Sequence, residues 1–201
     1  MKRILLLALI STLSFIGLAA IQKRTVVIDF DKTANGKPVD VSLTGQILAK
    51  EYLEAFGITL TNVTDKTRVV VEDLRRTYEG GAIRAASGSN ALAHVGSNDP
   101  VSFTMNFKTH LQMVQFTRPQ LMAGETGITF PEWEATALDA NGRQLDSVGE
   151  PLGSGPAYYS NVPAKTFSLK GAGIRSVRFN SNNHQFAAFN AIIIDDLVLT
   201  Y

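Results

Sequence analysis

Five side chains on this chain have the chemistry to hold a hard cation. Asp29 and Asp31 close the stretch TVVIDFD, Asp195 and Asp196 interrupt FNAIIIDDLVLTY, and Asn90 lies in the run ASGSNAL. A strand that is apolar on both sides of two carboxylates needs a reason for them, because burying a charge is costly unless it is paired or bound to a metal. Calcium takes six to eight oxygen ligands from carboxylates, amides and backbone carbonyls. Asn35 and Ser87 offer further oxygens in adjacent loops. No histidine–carboxylate spacing favours a transition metal. The plainer reading is that all four acids are turn and edge aspartates, with Asp29 paired to Lys23 or Arg24.

Catalytic patterns are weaker. The histidines His94, His110 and His184 form no H-E-x-x-H motif. Gly153-Ser154-Gly155 lacks the Gly-x-Ser-x-Gly frame of a nucleophile elbow. Glu132 and Glu134 share one face of a strand about 6.5–7 Å apart, near the separation of glycosidase carboxylates. An alternating strand also puts charges on its solvent face without catalysis, and Trp133 then points the other way, into the core. Two loops mix aromatic and polar groups in the way sugar recognition does: Tyr158 with Tyr159, and His184 with Phe186 beside Asn182 and Asn183. Both also read as packed loop tips. No catalytic residue is assigned, and the chain is read as a non-enzyme.

These groups need a scaffold, and the pattern supplies strands. Alternating or β-branched runs span 25–30, 58–64, 67–74, 91–95, 101–107, 111–117, 128–139, 143–148, 166–169, 174–180 and 192–201. Asp139-Ala140-Asn141-Gly142 is a hairpin turn. One short helix is expected over Thr44–Phe56, with Leu48, Tyr52 and Phe56 at four-residue spacing, Thr44 as cap and Gly57 as stop. Many short strands with regular turn signals make an all-β antiparallel sandwich or jelly roll.

Composition sets the compartment. The chain has 201 residues and a formal charge of +1, which suits one domain and argues against nucleic acid, whose phosphates call for a basic patch. Lys2 and Arg3 precede an uncharged apolar run from Ile4 to Ala20, the pattern of a signal peptide cleaved after about residue 20. Residues 21–201 then form a single secreted or periplasmic domain, free of the membrane after cleavage. With no cysteine, neither a disulfide nor a lipid anchor on cysteine is available, and a bound ion becomes the obvious staple.

The series IDFDKTANGKPV, EYLEAFGITLT, ASGSNAL, VSFTMNF, ALDANGRQL, GIRSVRFNS and IIIDDLVL resembles secreted bacterial proteins with a galactose-binding-like jelly-roll fold. It is similar to calcium-containing carbohydrate-binding modules. The resemblance implies a structural Ca2+ held by Asp31, by Asp195 and by oxygens of the loop Gly88–Leu92. The acids at Asp29 and Asp196 leave the choice within each pair open. It implies a glycan or a cell-surface or matrix component as partner, with a protein-binding structural role in the envelope as the alternative.

Overall fold

The structure is a computed structural model that describes residues 23–41, 46–64, 68–77, 83–96, 100–121, 132–151, 162–181 and 190–201. The expected signal segment, residues 1–20, lies outside the described residues. In chain order the elements are β1 (Thr25–Ile28), β2 (Gln46–Leu48), α1 (Ala49–Glu54), β3 (Ile58–Thr61), β4 (Val69–Asp73), α2 (Leu74–Thr77), β5 (Ile83–Arg84) and β6 (Asn90–Gly96). There follow β7 (Val101–Arg118), β8 (Gln120–Leu121), β9 (Trp133–Leu138), β10 (Gln144–Glu150), β11 (Lys165–Ser181) and β12 (Asn190–Thr200).

Two long strands set the architecture. β7 and β11 pair antiparallel from Val101↔Ser181 to Arg118↔Lys165. Phe103 lies opposite Phe179, yet Phe116 on the same strand also meets Phe179, with ring centroids 5.2 Å apart. A straight strand would put Phe103 and Phe116 about 43 Å apart, so the β7–β11 pair must bend back over itself. The bend falls where Lys108, Thr109 and His110 are exposed and the register slips between Lys170 and Ser176. The sequence pattern reads each long strand as two shorter ones, because Lys108–His110 and Gly171–Gly173 look like turns. They are corners within continuous strands.

The bend makes two layers. In the first, the order is β10, β9, the C-terminal half of β11, the N-terminal half of β7, then β3. In the second, the N-terminal half of β11 and the C-terminal half of β7 join β12 and β1. The first half of β12 instead pairs β6, which leads on to β4 and β2. The inward face of each strand fills the space between layers with Phe30, Phe103, Phe116, Phe167, Phe179 and Trp133. Burying each such side chain contributes about 1.5–3 kcal/mol. The fold is the expected antiparallel β-sandwich of galactose-binding-like jelly-roll type.

A second, smaller core explains the unbroken run Val69-Val70-Val71. Val71 faces the main core, whereas Val70 packs outward with Leu74, Ile83, Ala91, Ala93 and Ile193. A strand covered on both faces has no need to alternate. The helix is shorter than its spacing suggests. Gln46–Leu48 pair with Val70–Glu72 as an edge strand, so helix begins only at Ala49. Gly57, at φ +74°, ends the turn as expected. Thr44 lies outside the described residues.

Candidate functional site

The candidate site forms where β12 changes sheets. Ile194 is opposite Leu92 on β6, and the next residue, Asp195, is opposite Thr117 on β7. The register shifts between Asp195 and Val198, and Asp196 adopts φ +47°. The crossing leaves a gap between strands, and the loop Ala86–Ser89 approaches it. The Asp195 carboxylate accepts the backbone N–H of Ala86 at 2.8 Å and of Ser87 at 3.0 Å on Oδ2, and the Asp196 N–H at 2.8 Å on Oδ1. The Ser87 hydroxyl donates to Asp196 Oδ1 at 2.6 Å.

The far side of the same loop is held from β1. Phe30, fully buried, turns the chain out of β1 with φ +58°, a left-handed conformation rare for a bulky residue. This presents Asp31, whose carboxylate accepts from the Ser89 N–H, the Ser89 hydroxyl and the Asn90 N–H at 3.2–3.4 Å. Gly88 crosses between them at φ +53°, so close that a Cβ would overlap the Asp31 carboxylate. Strands β1 and β12 are neighbours, Ile28 opposite Leu197, which is why two acids so distant in sequence meet one loop.

The other expected ligands are placed as follows. Asp29 serves its own turn, accepting from the Asp31 and Lys32 N–H groups, and pairs with Lys32 Nζ at 3.6 Å. Asn90 is 4% exposed; its amide donates to the Phe30 carbonyl at 3.4 Å, and its Oδ1 has no partner among the described residues. Asn35 is exposed in the turn after β1. The pattern gave no sign of Asp73 and Arg75, which pair at 3.3 Å close to Asn90, since Asp73 lies opposite Asn90 on β6. Only the pairing of β4 with β6 brings them there.

Electrostatics single out Asp195. It is 0% exposed, and burial pushes its carboxyl up to about 7, with Asp196 adding to the rise and the three N–H donors opposing it. A buried carboxylate in that state calls for a proton or a cation. The side chains that meet the Ala86–Asn90 loop offer hard oxygens, the buried Asn90 Oδ1 among them with no partner among the described residues, so the chemistry fits Ca2+. Among the described residues no three carboxylate, histidine or cysteine groups cluster as a metal site. An ion here would draw on amide and carbonyl oxygens beside at most two acids.

The remaining sequence candidates separate. Trp133 is in the core, facing away from the exposed Glu134. Its Nε1 donates to Glu150 at 3.1 Å, and Glu150 also takes two N–H bonds from Arg118, at 2.8 and 3.2 Å. That cluster ties β10 in one layer to β7 in the other. His94 is buried beneath Phe103, and burial lowers it to about 4; His110 is exposed at the corner. Tyr158, Tyr159, His184 and Phe186 lie outside the described residues.

Among the described residues, no further layer covers the outer face of the first layer, which is largely polar. One row crosses all five strands: Thr61, Thr104, Arg178, Thr136 and Ser147. Thr104 and Thr136 are only 5% and 3% exposed, so they form a recessed floor, while Arg178 and the neighbouring Glu134 stand out from it. The alternation of Arg178 and Asn180 with the buried Val177 and Phe179 was the sequence signal for this face.

No family model matches the chain, and no curated relative matches it either. Solved structures do. The K2 cleaved adhesin domain of Lys-gingipain aligns over 89% of this chain and 100% of its own, with TM-score 0.51 and 13% identity. The CBM22-1 xylan-binding domain from Paenibacillus barcinonensis covers 87% of this chain and 92% of its own, at TM-score 0.38 and 10% identity. A CBM32 module of a family 31 glycoside hydrolase from Clostridium perfringens covers 80% and 97%, at 0.33 and 11%. The likeness to the adhesin domain is one of fold.

Proposed function

We propose that this chain is a non-catalytic binding module for glycans, adhesive in role and stabilised by one Ca2+. The observation behind the glycan reading is the open face of the first layer, where hydroxyl, amide and guanidinium groups line five strands around a recessed floor. Such groups hydrogen-bond sugar hydroxyls. The calcium reading rests on the loop Ala86–Asn90, with Asp31, Asp195 and Asn90 as ligands and Asp196 and Asp29 supporting the turns around them. Calcium there would hold the sandwich shut at the strand crossing without touching the glycan. The Lys2–Ala20 segment supports a secreted or periplasmic location, and among the described residues no helix is long and apolar enough to cross a membrane.

A glycan array run with and without calcium tests both parts. Binding to a defined glycan set is the expected result, weakened on chelation through loss of stability. Chelation should also lower the melting temperature by several degrees, since the ion binds only the native state; an unchanged melting curve would remove calcium from the proposal. Silence across the array would favour a protein partner. That second reading has its own observation: β1 pairs on one side only among the described residues, and Val27 on it is 61% exposed. Such an edge can accept a strand from a partner.

A further inference from the structure

We infer that the open face recognises a glycan bearing carboxylates, a polyuronate, with Arg178 as the residue that reads the charge. The inference rests on the glycan reading and narrows it. Arg178 is exposed at the centre of the row, two strands in from either edge of the layer. It makes no ion pair or hydrogen bond with any described residue. The nearest acid on the face, Glu134, has one oxygen occupied by the Thr136 hydroxyl at 3.3 Å. An exposed arginine is usually free in solvent, but this one stands over a buried floor of two threonines that it shares a row with.

The face has no aromatic side chain among its described outward positions, which are Thr59, Thr61, Ser102, Thr104 and Asn106 on β3 and β7, with the polar residues of β9–β11 beyond them. These described positions therefore offer no stacking against the apolar face of a neutral pyranose, a main source of affinity for neutral sugars. What remains is hydrogen bonding and charge. Hydrogen bonds to neutral hydroxyls exchange with water for little net gain. A guanidinium gripping a carboxylate with two parallel N–H bonds is stronger and geometrically selective. The row is about 19 Å long, enough for several sugar units to lie across the strands with one carboxylate over Arg178.

Calorimetric titration of the full chain with polygalacturonate oligomers, neutral xylan oligomers and dextran sulfate decides the matter, with Arg178→Ala and Arg178→Lys each first checked by melting curve. The expected result is polyuronate binding about ten-fold or more tighter than neutral xylan. Arg178→Ala should abolish that preference, and Arg178→Lys should recover only part of it. Equal or tighter binding of the neutral oligomers, or an unaltered preference in Arg178→Ala, overturns the inference while leaving the glycan reading intact. Tighter binding of dextran sulfate than of polyuronate also overturns it. If no glycan binds at all, both the inference and the reading beneath it fall.

Discussion

Replacing Gly88 by alanine probes the loop that two aspartates hold from opposite sides. Two penalties combine there. The left-handed backbone at φ +53° costs an alanine about 1–2 kcal/mol. The new methyl also overlaps the Asp31 carboxylate, with Oδ1 2.8 Å away and Oδ2 and Cγ nearer still. Asp31 must swing out and give up its bonds from Ser89 N–H, Ser89 Oγ and Asn90 N–H. Hydrogen bonds to a charged acceptor contribute about 1.5–3 kcal/mol each. With the group only partly buried and these bonds long, about 3 kcal/mol in total is the reasonable loss. Gly36 is the natural control, since it has φ +74° and nothing within 4 Å of a built Cβ. Gly36→Ala should lose only the backbone penalty. At about 2–4 °C per kcal/mol for a chain of this size, Gly88→Ala should melt roughly 10 °C below Gly36→Ala, in urea or thermal unfolding followed by circular dichroism. Asp31→Ala should remove most of the extra penalty, so that the double variant falls well short of the sum. Equal melting of the two glycine variants, or strict additivity in the double, would refute the loop geometry.

Two further predictions follow from buried ionisable groups. In chelator, Asp195 ionises in the folded chain near 7 but near its usual 3.8 when unfolded, so the folded state holds the extra proton between those values and stability falls as pH rises through that window. His94 does the opposite: lowered to about 4 from 6.5, it makes stability rise with pH over 4–6.5. The wild-type curve should therefore be nearly flat from pH 4 to 6.5 and drop toward 7, while Asp195→Asn should climb to a plateau above 6.5; parallel curves for the two would contradict the assignment. Glu150→Ala strips the Arg118 guanidinium and the Trp133 N–H of their partner, and a buried charge left unpaired costs about 3–5 kcal/mol. A shift of under 1 kcal/mol in urea unfolding would mean that solvent reaches Arg118 freely.

Much of this was readable from residue order, but unevenly. The strands were legible because Val101, Phe103, Met105 and Phe107 alternate with Ser102, Thr104 and Asn106, and pleating demands that pattern of any half-buried strand. The meeting of Asp31 with the Gly-Ser-Asn loop was also legible, though only through the resemblance, which sets both around one ion. The reason for Asp195 was not. Its partners are the N–H groups of Ala86 and Ser87, and backbone donors look the same at every residue. Nor could alternation choose between Asp195 and Asp196, since the left-handed turn at Asp196 resets it. Arg118 and Glu150 lie 32 residues apart and face each other only because the β7–β11 pair folds over at its corner. The second core was hidden by its own composition: an unbroken valine run does not say whether both of its faces are covered.

The place of β12 also governs when the molecule can assemble. The last strand of the chain is the common neighbour of β1, β6 and β7. A ribosome delivers it after everything it must join, so β1 waits through some 160 residues of synthesis for its only pairing partner among the described residues. Contacts this distant in sequence make folding slow. During that wait the apolar edges of β6 and β7 stand open to other chains, as in any large β-protein caught before closure. Breaking the pairing of Leu197–Thr200 would release β1 and one edge of β7 together, and its first symptom would be aggregation during synthesis, ahead of any loss of binding.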